Sequence, residues 1–271
     1  MKVYSVFSLS AAFVIVLSCV QMRDRKPSQD DLDTYPLEIR AIFLAYGDSF
    51  IKYSNDTLYL KNGESIPFDQ SVKADSHLRR LDSATVKDMF HYTYPLGKLT
   101  EPAYSFDPGR YRNDAFFQAM YGHSEKEVKT HLRDVNVFGK KVPFSTVNGA
   151  ADSLRLVISE IKRTRPDLIK YFTEPGSFYW RTVTGTQRMS AHSYGIALDL
   201  EDECSDYWQW SNKGAKELDT IIYRNRVPQE LIDIFEKHGF ISGARWYHYD
   251  TMHFEFRPEI IHYSKLLLRS F

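Results

Sequence analysis

The spacing of apolar and polar residues predicts a chain that mixes helices with short strands. Early in the sequence, turn pairs at 55–56 and 62–63 separate three β-prone runs, which cover residues 49–53, 57–61 and 65–68. Apolar spacing and capping signals predict four helices, over residues 112–121, 125–132, 149–164 and 229–237. Strand-like runs follow at residues 178–184, 196–200 and 252–256. Residues 36–150 thus form a mixed α/β segment, with no strong linker after it.

The first 18 residues have the features of an export signal. Lys2 precedes a run over residues 6–17 that is almost wholly apolar and too short to span a bilayer comfortably. The sequence Leu17-Ser18-Cys19 resembles the bacterial lipoprotein signal, which implies lipidation of Cys19; an ordinary secretory signal or a weak membrane anchor is the alternative. Residues 19–35 are polar and are expected to form a flexible tether. We therefore expect an exported, periplasmic protein that is anchored to a bacterial membrane by a lipid.

Composition narrows the classes of partner and of metal site. Among 271 residues, Lys and Arg together number 35 and Asp and Glu also number 35, so no overall charge favours nucleic acid. We expect a monomer without a nucleic-acid partner. The two cysteines, Cys19 and Cys204, are too few for a four-cysteine structural zinc site. With Cys19 lipidated, Cys204 is expected to be a free thiol.

Two motifs, far apart in the sequence, carry the residue types of a metal site. His192 and Asp199 lie in the first motif, and His253 follows Asp250 by three residues in the second. Two histidines and one carboxylate can hold a divalent cation and leave one coordination position for water, as catalytic sites do. An aspartate at the end of an apolar strand is costly unless it is paired or binds metal. On the residues alone an alternative remains, in which Asp199 caps a turn and His192 is an exposed loop residue.

Other polar residues near these motifs each allow two interpretations. Asp250 enters the last predicted strand, where it either serves as a general base or caps a turn. Glu255 shares a strand face with the second histidine, so it orients that ligand or points into solvent. His248 could bind metal, but we expect it to line a groove. Arg110 and Arg112 lie beside a Pro-Gly turn, and we expect them to be solvated rather than to reach a ligand.

The two motifs together resemble a known family. Ser190-x-His192-x-x-Gly195-x-Ala197-x-Asp199, followed by Asp250-x-x-His253-Phe254-Glu255, resembles the zinc D-alanyl-D-alanine carboxypeptidases. That family includes VanY-type carboxypeptidases and the L-alanyl-D-glutamate endopeptidases of phage lysins. The resemblance covers residues 178–258 and implies an α+β fold, a small antiparallel sheet flanked by helices as in the hedgehog signalling domain. It implies a zinc peptidase core over residues 151–271, with residues 36–150 as an N-terminal extension packed on that core.

The resemblance also implies a role for each polar residue of the motifs. The implied ligands of a single Zn²⁺ ion are His192, Asp199 and His253. Asp250 would be the catalytic base. Arg181 would contact the substrate or its developing oxyanion, with Arg188 as the alternative. Ser190 and Arg188 are the expected substrate-binding residues.

The expected function is zinc-dependent hydrolysis of D-residue-containing stem peptides of peptidoglycan. The bond cleaved is either the terminal one, as in D,D-carboxypeptidases, or the L-Ala-D-Glu bond, as in the endopeptidases. A zinc-containing cell-wall binding module without activity is the alternative, although such a module has no need of Asp250. Non-haem iron oxygenases also use two histidines and one carboxylate. Their usual first pair is H-x-D, whereas six residues separate His192 from Asp199.

Overall fold

Helices and small antiparallel sheets interleave along the chain, which confirms the predicted α+β class. The structure is a computed structural model that describes residues 28–69 and 76–269. The predicted signal over residues 1–18, Cys19 and most of the predicted tether lie outside the described residues. The described end of the predicted tether contains a short helix at Gln29–Asp33, which begins with a capping box formed by Ser28 and Asp31. Within the described residues, no helix is both long and apolar enough to cross a membrane.

The elements are numbered in chain order over the described residues. The helices are α1 (Gln29–Asp33), α2 (Leu37–Tyr46), α3 (His77–Ser83), α4 (Asp114–Tyr121), α5 (Glu125–His131), α6 (Ala150–Thr164), α7 (Trp208–Ser211), α8 (Gln229–Lys237) and α9 (Pro258–Arg269). The strands are β1 (Phe50–Ser54), β2 (Thr57–Leu60), β3 (Ser65–Pro67), β4 (Leu132–Val137), β5 (Lys140–Ser145), β6 (Ala197–Asp199), β7 (Phe240–Ser242) and β8 (His253–Phe256). Short 3-10 helices occur at Lys87–Phe90, Val147–Gly149, Pro166–Phe172, Ala191–Tyr194, Asp202–Cys204 and Gly243–Arg245.

The four predicted helices are present, and local capping sets their starts. Asn113 accepts the N–H of Phe116, so α4 begins at Asp114 and leaves Arg112 outside it. Ser124 accepts the N–H of Glu127 and caps α5 as predicted. The helix α8 begins directly after Pro228, which is the cap residue rather than the first helical residue.

The strands form three separate sheets. β1, β2 and β3 make an antiparallel meander, and β4 pairs with β5 as a hairpin. In the third sheet β8 lies between β6 and β7 and is antiparallel to both. This pairing joins the two sequence motifs, because Asp199 on β6 is opposite His253 on β8.

The predicted strand over residues 178–184 is wrong. Only an isolated bridge between Thr182 and Met189 interrupts an otherwise irregular segment. Its backbone groups bond to the loop that carries the first motif instead of to a strand: Arg181 donates its N–H to Ser193 Oγ, and Tyr179 donates to the carbonyl of His192. The β-prone residues therefore line the metal-site loop rather than extend a sheet.

One buried apolar cluster includes residues from both ends of the chain, from Ile39 on α2 to Ile261 on α9. α2 packs along α9, and Tyr46 donates a hydrogen bond of 2.5 Å to Glu259 inside this contact. The amphipathic helix α6 packs against β4, β5 and α8. Burial of each large apolar side chain contributes about 1.5–3 kcal/mol, so the N-terminal residues are a substantial part of the core that holds β8 in place.

Candidate metal centre

A 3-10 turn and a strand pair bring the three predicted ligands to one point. His192 lies in the turn Ala191–Tyr194, which Gly195 ends at a φ of 63°. A Cβ at Gly195 would overlap the Leu132 side chain, so this turn needs glycine both for its left-handed φ and for its approach to β4. Asp199 and His253 face each other across the β6–β8 ladder.

The ligating atoms are close enough to share one cation. His192 Nε2 lies 3.2 Å from His253 Nδ1 and 3.1 Å from an oxygen of Asp199, and His253 Nδ1 lies 3.0 Å from the other Asp199 oxygen. In a tetrahedral zinc site with bonds of about 2.0 Å, neighbouring ligand atoms are about 3.3 Å apart. The observed triangle therefore fits a metal ion with little rearrangement, and it leaves a fourth position for water or substrate.

An acceptor on the far side of each ring favours the tautomer that binds metal, through a hydrogen bond at His192 and a longer charge contact at His253. His192 Nδ1 lies 2.7 Å from the carbonyl oxygen of Ser177, which can only accept, so Nδ1 carries the proton and Nε2 presents a lone pair to the centre. His253 Nε2 is buried and lies 3.5 Å from Glu255 Oε2. A proton on this nitrogen points at the Glu255 carboxylate and leaves the Nδ1 lone pair for metal.

Burial and charges at the centre strongly shift the pKa values of Asp199 and His253 in the metal-free protein. Burial opposes ionisation of Asp199, but His192 and His253 outweigh it and hold the pKa of that carboxyl well below its usual range. Burial lowers the pKa of His253, while the hydrogen bonds with Asp199 and Glu255 raise it to about 10 overall. Without metal, the site therefore holds protons where a cation would sit.

Asp250 lines the same pocket without joining the ligand triangle. Its backbone is fixed by a bridge to Tyr207 and by its N–H donated to Gly243. Burial, and to a smaller degree the charge of Asp199, raises the pKa of Asp250 to about 6, although His253 lowers it. Its Oδ1 is buried and has no hydrogen-bond partner among the described residues. The carboxylate is thus placed and available for proton transfer.

The residues predicted to bind substrate also line this pocket, but they differ in exposure and in hydrogen bonding. Arg181 is exposed at its rim, with its guanidinium 5.9 Å from the centre of the Tyr179 ring. Arg188 is 5% exposed and donates to the carbonyl of Arg110, and its Nε is buried with no partner in the described part of the chain. Burial and the nearby Arg112 and Arg110 lower the pKa of Arg188 to about 9. The hydroxyl of the buried Ser190 accepts the His192 N–H and so caps the metal-site turn.

The pocket has a volume of about 750 Å³ and four segments of chain contribute to its walls. The lining residues come from 78–112, 181–192, 199–217 and 246–253. Aromatic side chains at Tyr207, Trp208 and Trp210 form part of one wall, and Leu78 and Leu81 from α3 form part of another. The pocket is large enough for a short peptide.

In a second group of potential metal ligands, the guanidinium of an arginine already takes the place of a metal ion. His77, Asp107, Glu217 and His248 lie close enough to hold a metal. Arg110 sits among them, 2.9 Å from Asp107 and in contact with Glu217. Both nitrogens of His248 are engaged, with Asp107 Oδ2 at 2.7 Å and the Glu217 carbonyl at 2.9 Å. We interpret this group as a buried ion-pair network, and His248 as a pocket residue rather than a metal ligand.

Several sequence expectations about these residues were wrong. Arg110 and Arg112 are not solvated, because each forms ion pairs inside the protein, with Asp107 and Glu217 or with Glu255. Of the two alternatives left open for Glu255, exposure to solvent is excluded, since the residue is fully buried. Sequence reasoning missed Glu217 and its pairing with Arg110 altogether. The partners in the Arg110–Glu217 and Arg112–Glu255 ion pairs lie more than 100 residues apart in the chain, and no local sequence pattern predicts such a pair.

Comparison with known proteins supports the chemistry of the motifs. Residues 184–256 match the family model described as D-alanyl-D-alanine carboxypeptidase. The matched region contains His192, Asp199, Asp250 and His253, and it supports a peptidase of this broad family. Arg181 lies outside the match, as do all residues before it. No curated protein and no solved structure gave a significant match.

Proposed function

We propose that this protein is a zinc-dependent peptidase that hydrolyses D-residue-containing stem peptides of peptidoglycan. The observation that carries the proposal is the convergence of His192 Nε2, His253 Nδ1 and the two carboxylate oxygens of Asp199, with contacts of 3.0–3.2 Å, in the lining of a peptide-sized pocket. The match of residues 184–256 to the D-alanyl-D-alanine carboxypeptidase model supports the same conclusion. We extend the resemblance to a hedgehog-like core over residues 151–271 as part of this proposal.

In this proposal, His192, Asp199 and His253 hold one Zn²⁺. When bound, zinc supplies a Lewis acid that lowers the pKa of a bound water to about 7. Asp250 accepts the proton of the attacking water and later donates it to the leaving amine. Its buried oxygen without a partner is free for that proton.

Two arginines of the pocket, one exposed and one buried, can bind the anionic groups of the reaction. We assign the exposed Arg181 to the substrate or its developing oxyanion at the pocket rim. Arg188, buried with an unpartnered Nε, is suited to a carboxylate deeper in the pocket. Ser190 also lines the pocket, so its hydroxyl can both cap the His192 turn and donate to substrate.

We also propose that the protein acts in the periplasm as a monomer, held to a membrane by lipid on Cys19. The support comes from the sequence alone: an apolar run of the length found in the apolar core of signal peptides, a small residue before Cys19, and a polar segment after it. A Cys19→Ala variant made in a Gram-negative host should leave the membrane fraction. If it stays there, an uncleaved anchor holds the protein instead.

The proposal is tested by incubating the purified protein with defined muropeptides and weighing the products by mass spectrometry. Loss of one alanine identifies a D,D-carboxypeptidase, and separation of L-Ala from D-Glu identifies an endopeptidase. An Asp250→Asn variant is the control, because it keeps the shape of the pocket and removes the base. If wild-type protein loaded with zinc cleaves no stem peptide, the alternative of a zinc-containing binding module without activity is the better account.

A further inference from the structure

A chain of buried charges links the metal centre to the N-terminal part of the protein. It begins at His253 Nε2, which lies 3.5 Å from Glu255 Oε2. Arg112, from the turn before α4, contacts both oxygens of Glu255 at 2.9–3.1 Å. Arg257 contacts Glu255 at 3.1 Å and also pairs with Glu259. Glu255, Arg257 and Glu259 are fully buried, and Arg112 is 8% exposed.

We infer that Arg112 is a positioning residue of the metal centre, which it acts on through Glu255 and His253. This inference rests on the metal site of the proposed function, and it gives residues 36–150 a part in that site. The region that matches the family model begins at residue 184, so Arg112 lies outside it.

The geometry explains why a fork-shaped cation is suited to this position. The Arg112 guanidinium uses Nε and Nη2 to bond both carboxylate oxygens, which fixes the plane of the Glu255 carboxylate as well as its place. With that plane fixed, Oε2 stays on the side of His253. A carboxylate in this place favours one orientation of the imidazole, because Glu255 Oε2 lies 3.5 Å from His253 Nε2, the ring nitrogen that faces away from the metal site.

Arg257 does not replace Arg112 in this arrangement. It approaches Glu255 with Nη1 alone, and its Nε is engaged by Glu259. The same Nη1 also donates to the Gly109 carbonyl at 3.0 Å. Without Arg112, two buried carboxylates would share one guanidinium, and Glu255 would keep a single contact about which it could rotate. The His253 ring would then lose the partner that orients it.

The test measures zinc affinity by competition with a chelator, at one fixed pH. Partners that orient a metal-binding histidine typically change metal affinity 10–100-fold when mutated, so Arg112→Met should weaken zinc binding by about that factor. Arg112→Lys keeps the charge but not the fork, and it should fall between Arg112→Met and the wild type.

A matched control comes from a second buried arginine that bonds both oxygens of a glutamate. Arg245 contacts both oxygens of Glu236, at 2.5 and 3.1 Å, and is 2% exposed, but it faces Tyr94 and Gly97 rather than a metal-binding side chain. Arg245→Met should lower the melting temperature much as Arg112→Met does, yet leave zinc affinity within about two-fold of wild type, as separate sites act independently.

The result that overturns the inference is equal zinc affinity in wild type and Arg112→Met, or an equal loss in Arg112→Met and Arg245→Met. If Arg112→Met does not fold, wild-type affinity in Arg112→Lys overturns it instead. The measurement of zinc affinity needs no peptide. A protein whose zinc affinity depends on Arg112 but which cleaves no stem peptide would therefore contradict the proposed function alone. A wild-type protein that bound no zinc would contradict both.

Discussion

At the residue scale, the proposed chemistry separates the residues that bind metal from the one that moves a proton. The three candidate ligands form a triangle, while Asp250 lies outside it with a buried, unpartnered oxygen. The motif order in the sequence was enough to nominate all four residues. The motifs alone could not reveal the surroundings of these residues, since Tyr207 and Gly243, which hold the Asp250 backbone, meet it only in the fold.

Asp250→Asn should abolish most turnover without emptying the metal site. The amide keeps the size of the side chain but cannot accept the proton, and general bases contribute roughly 10²–10⁴-fold. We therefore expect kcat to fall by about that factor while zinc content, measured by atomic absorption, and Tm stay close to wild type. Loss of zinc from this variant would make Asp250 a ligand, and an unchanged kcat would place the base elsewhere.

Zinc binding should tighten as the pH rises. In the metal-free protein the pKa of His253 is raised to about 10, chiefly by the hydrogen bonds with Asp199 and Glu255 acting against burial. Below that pKa the ring carries a proton that zinc must displace, so apparent affinity should increase about ten-fold per pH unit between pH 6 and 8. Chelator competition at several pH values measures this slope. An affinity that stays constant across this range would mean that His253 is already neutral.

At the element scale, the sequence predicted four of the nine helices in the described residues and the strands that carry the motifs, because capping residues and apolar spacing are local signals. The amphipathic α6 and the Pro228-capped α8 are examples. The predicted strand at 178–184 failed for a nonlocal reason: its backbone bonds go to Ser193 and His192 in the metal-site turn. A β-prone run can form backbone hydrogen bonds with a strand or with a loop, and only the tertiary fold determines which of the two it contacts.

The Gly195 turn offers a test of how tightly the metal-site loop is held. Gly195→Ala should destabilise the protein through its φ of 63° and through overlap with Leu132. Gly139→Ala, in the adjacent β4–β5 hairpin, shares a positive φ but meets nothing within 4 Å. The left-handed φ costs about 1–2 kcal/mol in both, and overpacking should add about 1–3 kcal/mol at Gly195 alone. Urea unfolding measures both; equal losses would mean that Leu132 moves aside freely.

At the scale of the whole molecule, the N-terminal residues are part of the core and of the site. Residues 36–150 carry no recognisable motif, so the sequence predicted only that they pack on a peptidase core. The structure adds the ion pairs of Arg110 and Arg112, the walls from α3, and the packing of α2 on α9. All of these are contacts between residues distant in sequence, which single-sequence patterns do not encode.

The fragment 151–271 should therefore fail to fold by itself. It would expose the face of α9 that packs on α2 and would leave Glu255 with Arg257 and no Arg112. A buried charge that loses its partner costs about 3–5 kcal/mol, a large share of the 5–15 kcal/mol stability of a typical domain. Near-UV circular dichroism and cooperative thermal unfolding report the result. A fragment with a native-like spectrum and a sharp transition would show that residues 36–150 are dispensable for folding.

The central claim is that one zinc ion at His192, Asp199 and His253 enables hydrolysis of stem peptides. It is tested most directly by titrating zinc into metal-free protein while following the cleavage of a defined muropeptide. We predict that cleavage is absent without metal, rises in proportion to added zinc and reaches its plateau at one ion per chain, with neither binding nor cleavage in His253→Ala. Full cleavage by the metal-free protein, or one bound zinc without cleavage of any stem peptide, would contradict the claim.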